Sequence, residues 1–240
     1  MPARKTVPTS KPKPKGNQQP GLNATKVLEL LEKEYPTQPW APRYDPISEV
    51  VVTILSQHTS DVNSERAFKQ LMDDFSSLEE VAKGDVELIA RSINVGGLAK
   101  IKAPRIKEAL NIIIERRGSL DLDFLKELPL EESKGWLRQI PGIGPKTAAV
   151  ILCFALGMPA MAVDTHVYRV AKRLGLIGPK TDFEQAHEIL EQAVEPEQIF
   201  PFHVGLITHG RRVCKAPRPL CGRCILAYGC PSQHLENSST

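Results

Sequence analysis

Apolar positions recur with a helical period through most of the chain. In "DPISEVVVTILSQ", Ile47, Val50, Val51, Ile54 and Leu55 fall at i, i+3, i+4, i+7 and i+8, which is one face of a helix. Asp45 is placed to cap that helix, and Pro46 suits its first position. Ile106, Leu110, Ile113 and Ile114 repeat the pattern, as do Val167, Val170, Ala171 and Leu174. The segment "TAAVILCFAL", residues 147–156, is apolar on every side and predicts a central buried helix, with Cys153 as a packing residue. Alternation of the strand type is absent from the sequence. The pattern predicts an all-α fold, with helices of about 8–18 residues joined by short Gly/Pro turns.

Residues 1–22 break the periodicity. They are rich in Pro, Lys and polar residues and predict a disordered basic tail. The tail changes the meaning of the overall charge of +3: its five basic residues face no acid, so the rest of the chain carries −2. Nucleic-acid binding therefore has to be local. Arg211, Arg212, Lys215, Arg218 and Arg223 form such a place, a basic stretch stiffened by Pro217 and Pro219 and suited either to phosphate or simply to solvent. No apolar run is long enough for a membrane span, and no apolar signal-peptide core opens the chain. A cytoplasmic, nucleoid-associated protein is expected, in a compartment that disfavours disulfides.

Four of the five cysteines lie within the seventeen residues "CKAPRPLCGRCILAYGC", spaced C-x6-C-x2-C-x5-C. Cys214, Cys221, Cys224 and Cys230 predict a metal site, and the residues alone do not choose between an iron–sulfur cluster and structural zinc.

A second constellation is "IPGIGPKTA". Gly142 and Gly144 allow a tight turn that opens directly into a helix whose free N–H groups suit an anion. With no strand before it, the turn suggests a helix-hairpin-helix gripping a DNA phosphate rather than a dinucleotide site. Lys146 stands in the first turn, where the helix dipole disfavours a cation. It reads either as a phosphate contact or as an amine nucleophile. Asp164, in "VDTHVYRV", reads as an N-cap, a role compatible with facing a developing positive charge.

The ordered set "IPGIGPKTA", "VDTHVYRV" and the cysteine spacing resembles endonuclease III, the bifunctional branch of the helix-hairpin-helix DNA glycosylases, over roughly residues 23–232. The resemblance implies Lys146 as nucleophile, Asp164 as catalytic aspartate, Gly142 and Gly144 at the phosphate, and a 4Fe–4S cluster on Cys214, Cys221, Cys224 and Cys230. It places "GGLAKIKA", with Lys102, at a turn bordering the DNA. The cluster would tie the basic loop into a fixed shape, with Lys215 and Arg218 expected on phosphates. His58, beside Gln57, matches the position that fills the gap left by a flipped base. His58 also continues the apolar face of its helix, which would make it an interhelical histidine. Thr53 stands where adenine-mismatch relatives carry a catalytic Glu, and mismatch relatives generally lack a lysine at position 146.

The resemblance thus implies a two-lobed fold. A six-helix barrel with the hairpin would span residues 40–158, and a cluster lobe residues 23–39 and 159–240. The expected activity is removal of oxidised or ring-saturated pyrimidines from double-stranded DNA, with cleavage of abasic sites, by a monomer. The competing classes are a monofunctional mismatch glycosylase and a non-enzymatic DNA-binding module with a structural metal.

Overall fold

The computed structural model describes residues 21–233; the expected basic tail therefore lies almost wholly outside the described residues. Within them every regular element is helical. Helices α1 (Ala24–Glu34), α2 (Pro46–Ser56), α3 (Asp61–Phe75), α4 (Leu78–Lys83), α5 (Val86–Ser92) and α6 (Ala99–Arg117) fill the first half. The second half holds α7 (Leu130–Arg138), α8 (Pro145–Val150), α9 (Thr165–Leu174), α10 (Phe183–Glu191) and α11 (Ile199–Arg212). No helix among the described residues is long and apolar enough to cross a membrane.

Local chemistry sets most of the boundaries. Asp45 caps α2 through its Oδ1, which accepts from the backbone N–H of Ile47 and of Ser48, both at 3.0 Å. Ser60, Ser77, Asp85 and Asp182 cap α3, α4, α5 and α10 in the same way. Gly118 and Gly175 end α6 and α9 in left-handed conformations.

The apolar face read from α2 is buried throughout, and the helix lies at the centre of the molecule against α3, α6 and α8. Segment 147–156 is buried as expected, but α8 keeps its regular register only to Val150 and then widens into a π-helical turn at Ile151–Ala155. The Trp40 indole N–H donates to the Cys153 carbonyl in that turn at 2.8 Å. The Cys153 thiol is pushed up to about 12 by burial, which makes it an inert packing group.

At the other end of the molecule α11 packs between α1 and α9. A Cβ on Gly210 would stand 2.9 Å from the Cβ of His166, so only glycine lets α11 approach α9 this closely.

Lys102 corrects one expectation. It does not face outward toward DNA. Its side chain is 1% exposed, and its Nζ donates to the carbonyls of Leu55 at 2.7 Å and Gly96 at 2.8 Å. Burial lowers its pKa, and the two carbonyls supply the contacts that a buried ammonium requires. Lys102 thus clamps the end of α2 to the turn before α6. Replacing it with Met removes two charge-assisted hydrogen bonds and strands two buried carbonyls. Lys102→Met is expected to lose about 3 kcal/mol of unfolding free energy in urea titrations; a loss within experimental error would show that the clamp contributes nothing.

Candidate active site and cysteine cavity

The hairpin between α7 and α8 is built on Gly142, whose backbone sits at φ +86°, a conformation that side chains rarely adopt. Ile143 is buried and anchors the turn from below. Gly144 is extended and exposed, and a Cβ built on it meets nothing within 4 Å. Its lack of a side chain serves no contact inside the protein, which leaves the backbone open to an approaching group. Across the turn the Gln57 side-chain amide donates to the Gly142 carbonyl at 3.2 Å, tying the end of α2 to the hairpin.

Lys146 follows in the first turn of α8. Its side chain is exposed and has no ion pair or hydrogen bond among the described residues. Asp164 caps α9, its Oδ1 accepting from the Val167 N–H at 2.7 Å. Lys146 and Asp164 line the same two adjoining hollows together with Ser56, Asp61 and Arg211. Sequence reasoning took Arg211 only as part of a basic stretch and did not single out Asp61; the two form an ion pair at 3.0 Å beside the hollows.

One hollow, of about 450 Å³, is polar and open, and reaches Thr59, His166 and His187. The other, of about 260 Å³, runs inward past Val52, Val150, Phe154 and Ile207 to Glu49 and His203. His203 is buried; its Nδ1 lies 2.8 Å from the Ala162 carbonyl and therefore carries the ring proton. Burial pushes its pKa below the usual histidine range, and the Ala162 carbonyl and Asp164 oppose that shift. The ring stands with Asp164 in the wall of the inner hollow.

His58 does not continue the apolar face of its helix. α2 ends at Ser56, and His58 is exposed on left-handed backbone at φ +56°. Leu98, before α6, is likewise exposed at φ +52°. Lys102 holds the chain immediately before both turns. With Ser76, His58 and Leu98 are the non-glycine residues at positive φ among the described residues.

The four clustered cysteines line a single small cavity with Val170, Arg173, Leu174 and His209. Among the described residues no group of three or more His, Cys, Asp or Glu side chains is arranged to hold a metal ion. Burial and the three neighbouring cysteines push the Cys224 thiol up to about 11, and the Leu226 backbone opposes this.

The loop around the cavity is held by cations that sequence reasoning missed. Arg173 donates to the carbonyls of Lys215 and Ala216 at 2.7 and 2.9 Å and to the Cys214 sulfur at 3.3 Å. Arg169 donates to the carbonyls of Cys214 and Gly210 at 3.0 and 2.9 Å. Their spacing along α9, four residues apart and outside its apolar face, was the available signal. Lys215 and Arg218 are exposed, with no carboxylate partner among the described residues.

The family model for "HhH-GPD superfamily base excision DNA repair protein" matches residues 51–196, most of the chain. The chain belongs to this superfamily, in its endonuclease III branch. It is 36% identical over 186 residues to the endonuclease III of Thermotoga maritima, covering 78% of this chain and 83% of that protein. It is 34% identical over 212 residues to the endonuclease III of Synechocystis, covering 87% and 92%. Among solved structures it is similar to a trapped covalent endonuclease III–DNA intermediate, with a TM-score of 0.75 and 27% identity over 88% of this chain and 97% of that one. A thermostable thymine-DNA glycosylase, at 21% identity and a TM-score of 0.71, shares the fold. The chain is thus a DNA-binding enzyme of base excision repair, a DNA glycosylase/abasic-site lyase of the all-α helix-hairpin-helix glycosylase fold.

Different constraints act on the two hairpin glycines, so their substitutions should separate. Gly142→Ala places a side chain on left-handed backbone and is expected to cost about 1–2 kcal/mol of stability. Gly144→Ala enters open space and should leave the unfolding midpoint within about 0.5 kcal/mol of the parent. Equal losses in chemical denaturation would mean that the turn geometry does not distinguish them.

Proposed function

We propose that the enzyme removes oxidised or ring-saturated pyrimidines from duplex DNA with Lys146 as nucleophile and Asp164 as its electrostatic partner. The observation that supports this most directly is an unpaired, exposed amine in the same hollow as a carboxylate fixed at the start of α9.

The target base is stacked in the duplex, so its nucleotide must first be extruded into the hollow. The Lys146 amine then attacks C1′ of the sugar, the bond from C1′ to the base breaks, and the base departs with the electron pair. Asp164 stabilises the positive charge that develops on the sugar and accepts a proton from the attacking amine. The sugar opens to an iminium on Lys146. Loss of a 2′ proton drives β-elimination, which breaks the C3′–O bond on the 3′ side of the lesion. One amine therefore accounts for both glycosylase and lyase chemistry.

The bound duplex is held by the backbone of Gly142 and Gly144 at a phosphate, and by Lys215 and Arg218 on the neighbouring backbone. Gln57 and His58 stand at the rim, where the gap left by the base must be filled. Thr53 and Lys146 argue together against a mismatch-adenine glycosylase.

Four soft donors around one shared cavity suit a 4Fe–4S cluster by softness and number, and the relation to endonuclease III favours it over structural zinc. Cys214, Cys221, Cys224 and Cys230 would hold it, and its contribution is structural. It would fix the loop that presents Lys215 and Arg218, with residues 23–39 and the described part of 159–240 as the lobe around it.

Lys146→Ala is expected to lose both nicking of abasic DNA and borohydride trapping while keeping most duplex affinity. A trapped adduct in that variant would assign the chemistry to another amine. Asp164→Asn keeps a capping side chain, so its stability should change little, while base excision falls by about 10²-fold. Normal excision would leave Asp164 as a helix cap alone.

The purified protein should be brown and contain iron and acid-labile sulfide. Cys214→Ser should lower soluble yield and DNA affinity more than the single-turnover rate on bound DNA. Colourless protein with stoichiometric zinc, or loss of chemistry with binding retained, would contradict a structural cluster.

A further inference from the structure

Glu49 lies in the middle of the buried face of α2 and is 0% exposed, an expensive place for a carboxyl group. Only half of it is satisfied. Its Oε1 receives the Arg43 guanidinium at 3.0 Å and the Thr53 hydroxyl at 3.3 Å. Its Oε2 is buried with no partner. Helix packing does not require this group, since an apolar side chain would fill the same space without Arg43. Unpaired buried polar atoms are rare in folded proteins and each calls for an explanation; the other one among the described residues, Thr37 Oγ1, lines neither hollow.

The place is specific. Glu49 lines the inner hollow that Lys146 and Asp164 share. The walls beside it are Val52, Val150, Phe154 and Ile207, which suit the apolar faces of a base-sized ring. Such walls bind any base that fits, and selectivity then has to come from the few polar groups that reach an edge.

We propose that Glu49 is a specificity-determining residue whose Oε2 accepts an N–H from the hydrogen-bonding edge of the extruded base. This deepens the pyrimidine reading above and rests on it. Thymine-derived lesions with a saturated ring keep N3–H between two carbonyls, and that N–H is the donor the orphaned oxygen lacks. Burial raises the Glu49 pKa while Arg43 and Thr53 oppose the shift, so the carboxylate is under-compensated until a further donor arrives. Thr53, one turn along α2, is engaged with Glu49, which leaves the carboxylate itself to meet the base.

The test compares two duplexes that differ by one methyl group, one carrying 5,6-dihydrothymine and the other its N3-methyl derivative. The methyl group removes the N–H and also the pairing with the opposite base, which makes extrusion easier. An enzyme that only extrudes and cuts would therefore excise the methylated base at least as fast. With Glu49 reading N3–H, the wild-type single-turnover rate should be about tenfold or more lower on the methylated base. Glu49→Ala should erase that preference, and Glu49→Gln should weaken it, with nicking of a preformed abasic site as the reference rate for each variant. Equal wild-type rates, or a preference that survives in Glu49→Ala, overturn the assignment of Glu49 alone. Failure of the wild type to excise either base, with abasic nicking retained, overturns the pyrimidine reading and Glu49 with it. The wild-type comparison needs no variant to fold.

Discussion

A single ammonium group inside the protein fixes the rim of the site. Lys102 reaches the interior and meets the carbonyl of Leu55, near the end of α2, and the carbonyl of Gly96, just before α6. A buried charge is tolerated only when its donors are used, so neither carbonyl can move away without stranding it. The two turns that follow these carbonyls carry His58 and Leu98 on left-handed backbone. Strain of that kind persists only where the surroundings over-determine it, and Lys102 supplies part of that determination. Because α2 is locked at this end, Gln57 reaches the Gly142 carbonyl and Glu49 stands two turns deeper in the same helix at a fixed distance from the rim.

Around that frame, satisfied and unsatisfied groups are segregated. Asp45 and Asp164 cap α2 and α9, Trp40 takes the carbonyl at the π-helical turn, and His203 gives its ring proton to Ala162. Of the two buried side-chain atoms left without a partner among the described residues, Thr37 Oγ1 and Glu49 Oε2, the second belongs to a residue that lines the inner hollow. Lys146 has no partner, and one oxygen of Glu49 has none. An exposed amine and a buried carboxylate oxygen, both unpaired and of opposite character on residues lining one cavity, suit a group that arrives there.

The sequence made some of this legible and concealed the rest for identifiable reasons. The 3.6-residue period located α2, α6 and α9, and Asp45 and Asp164 announced their caps, because capping is a local interaction between near neighbours in the chain. Glycines at positions 142 and 144 announced a turn, although only Gly142 needs its unusual backbone. Lys102 was misplaced because a lysine next to a DNA-like turn reads as a surface cation. Its acceptors at Leu55 and Gly96 are backbone atoms that no side-chain pattern displays. His58 was ambiguous because the apolar period runs on past Ser56, whereas the backbone turns there. Glu49 escaped notice because a lone acid among Val and Ile reads as the solvent face of an amphipathic helix, and only the depth of α2 shows that it has no solvent face.

The ten-residue helix α9 joins the two chemical regions of the molecule. Asp164 caps its first turn, and Arg169 and Arg173 from its later turns hold the cysteine loop by donating to backbone carbonyls at Gly210, Cys214, Lys215 and Ala216. Its inner side packs on α11 so closely that Gly210 admits no side chain. A rigid helix with both ends engaged transmits position from one end to the other. If the proposed cluster sets the shape of the cysteine loop, it also sets the footing of α9, and through the cap it sets where the Asp164 carboxylate stands relative to Lys146. The cluster then needs no redox chemistry to matter for catalysis. It has only to keep the loop from relaxing, because an electrostatic contact to a developing charge loses its effect when its carboxylate is displaced.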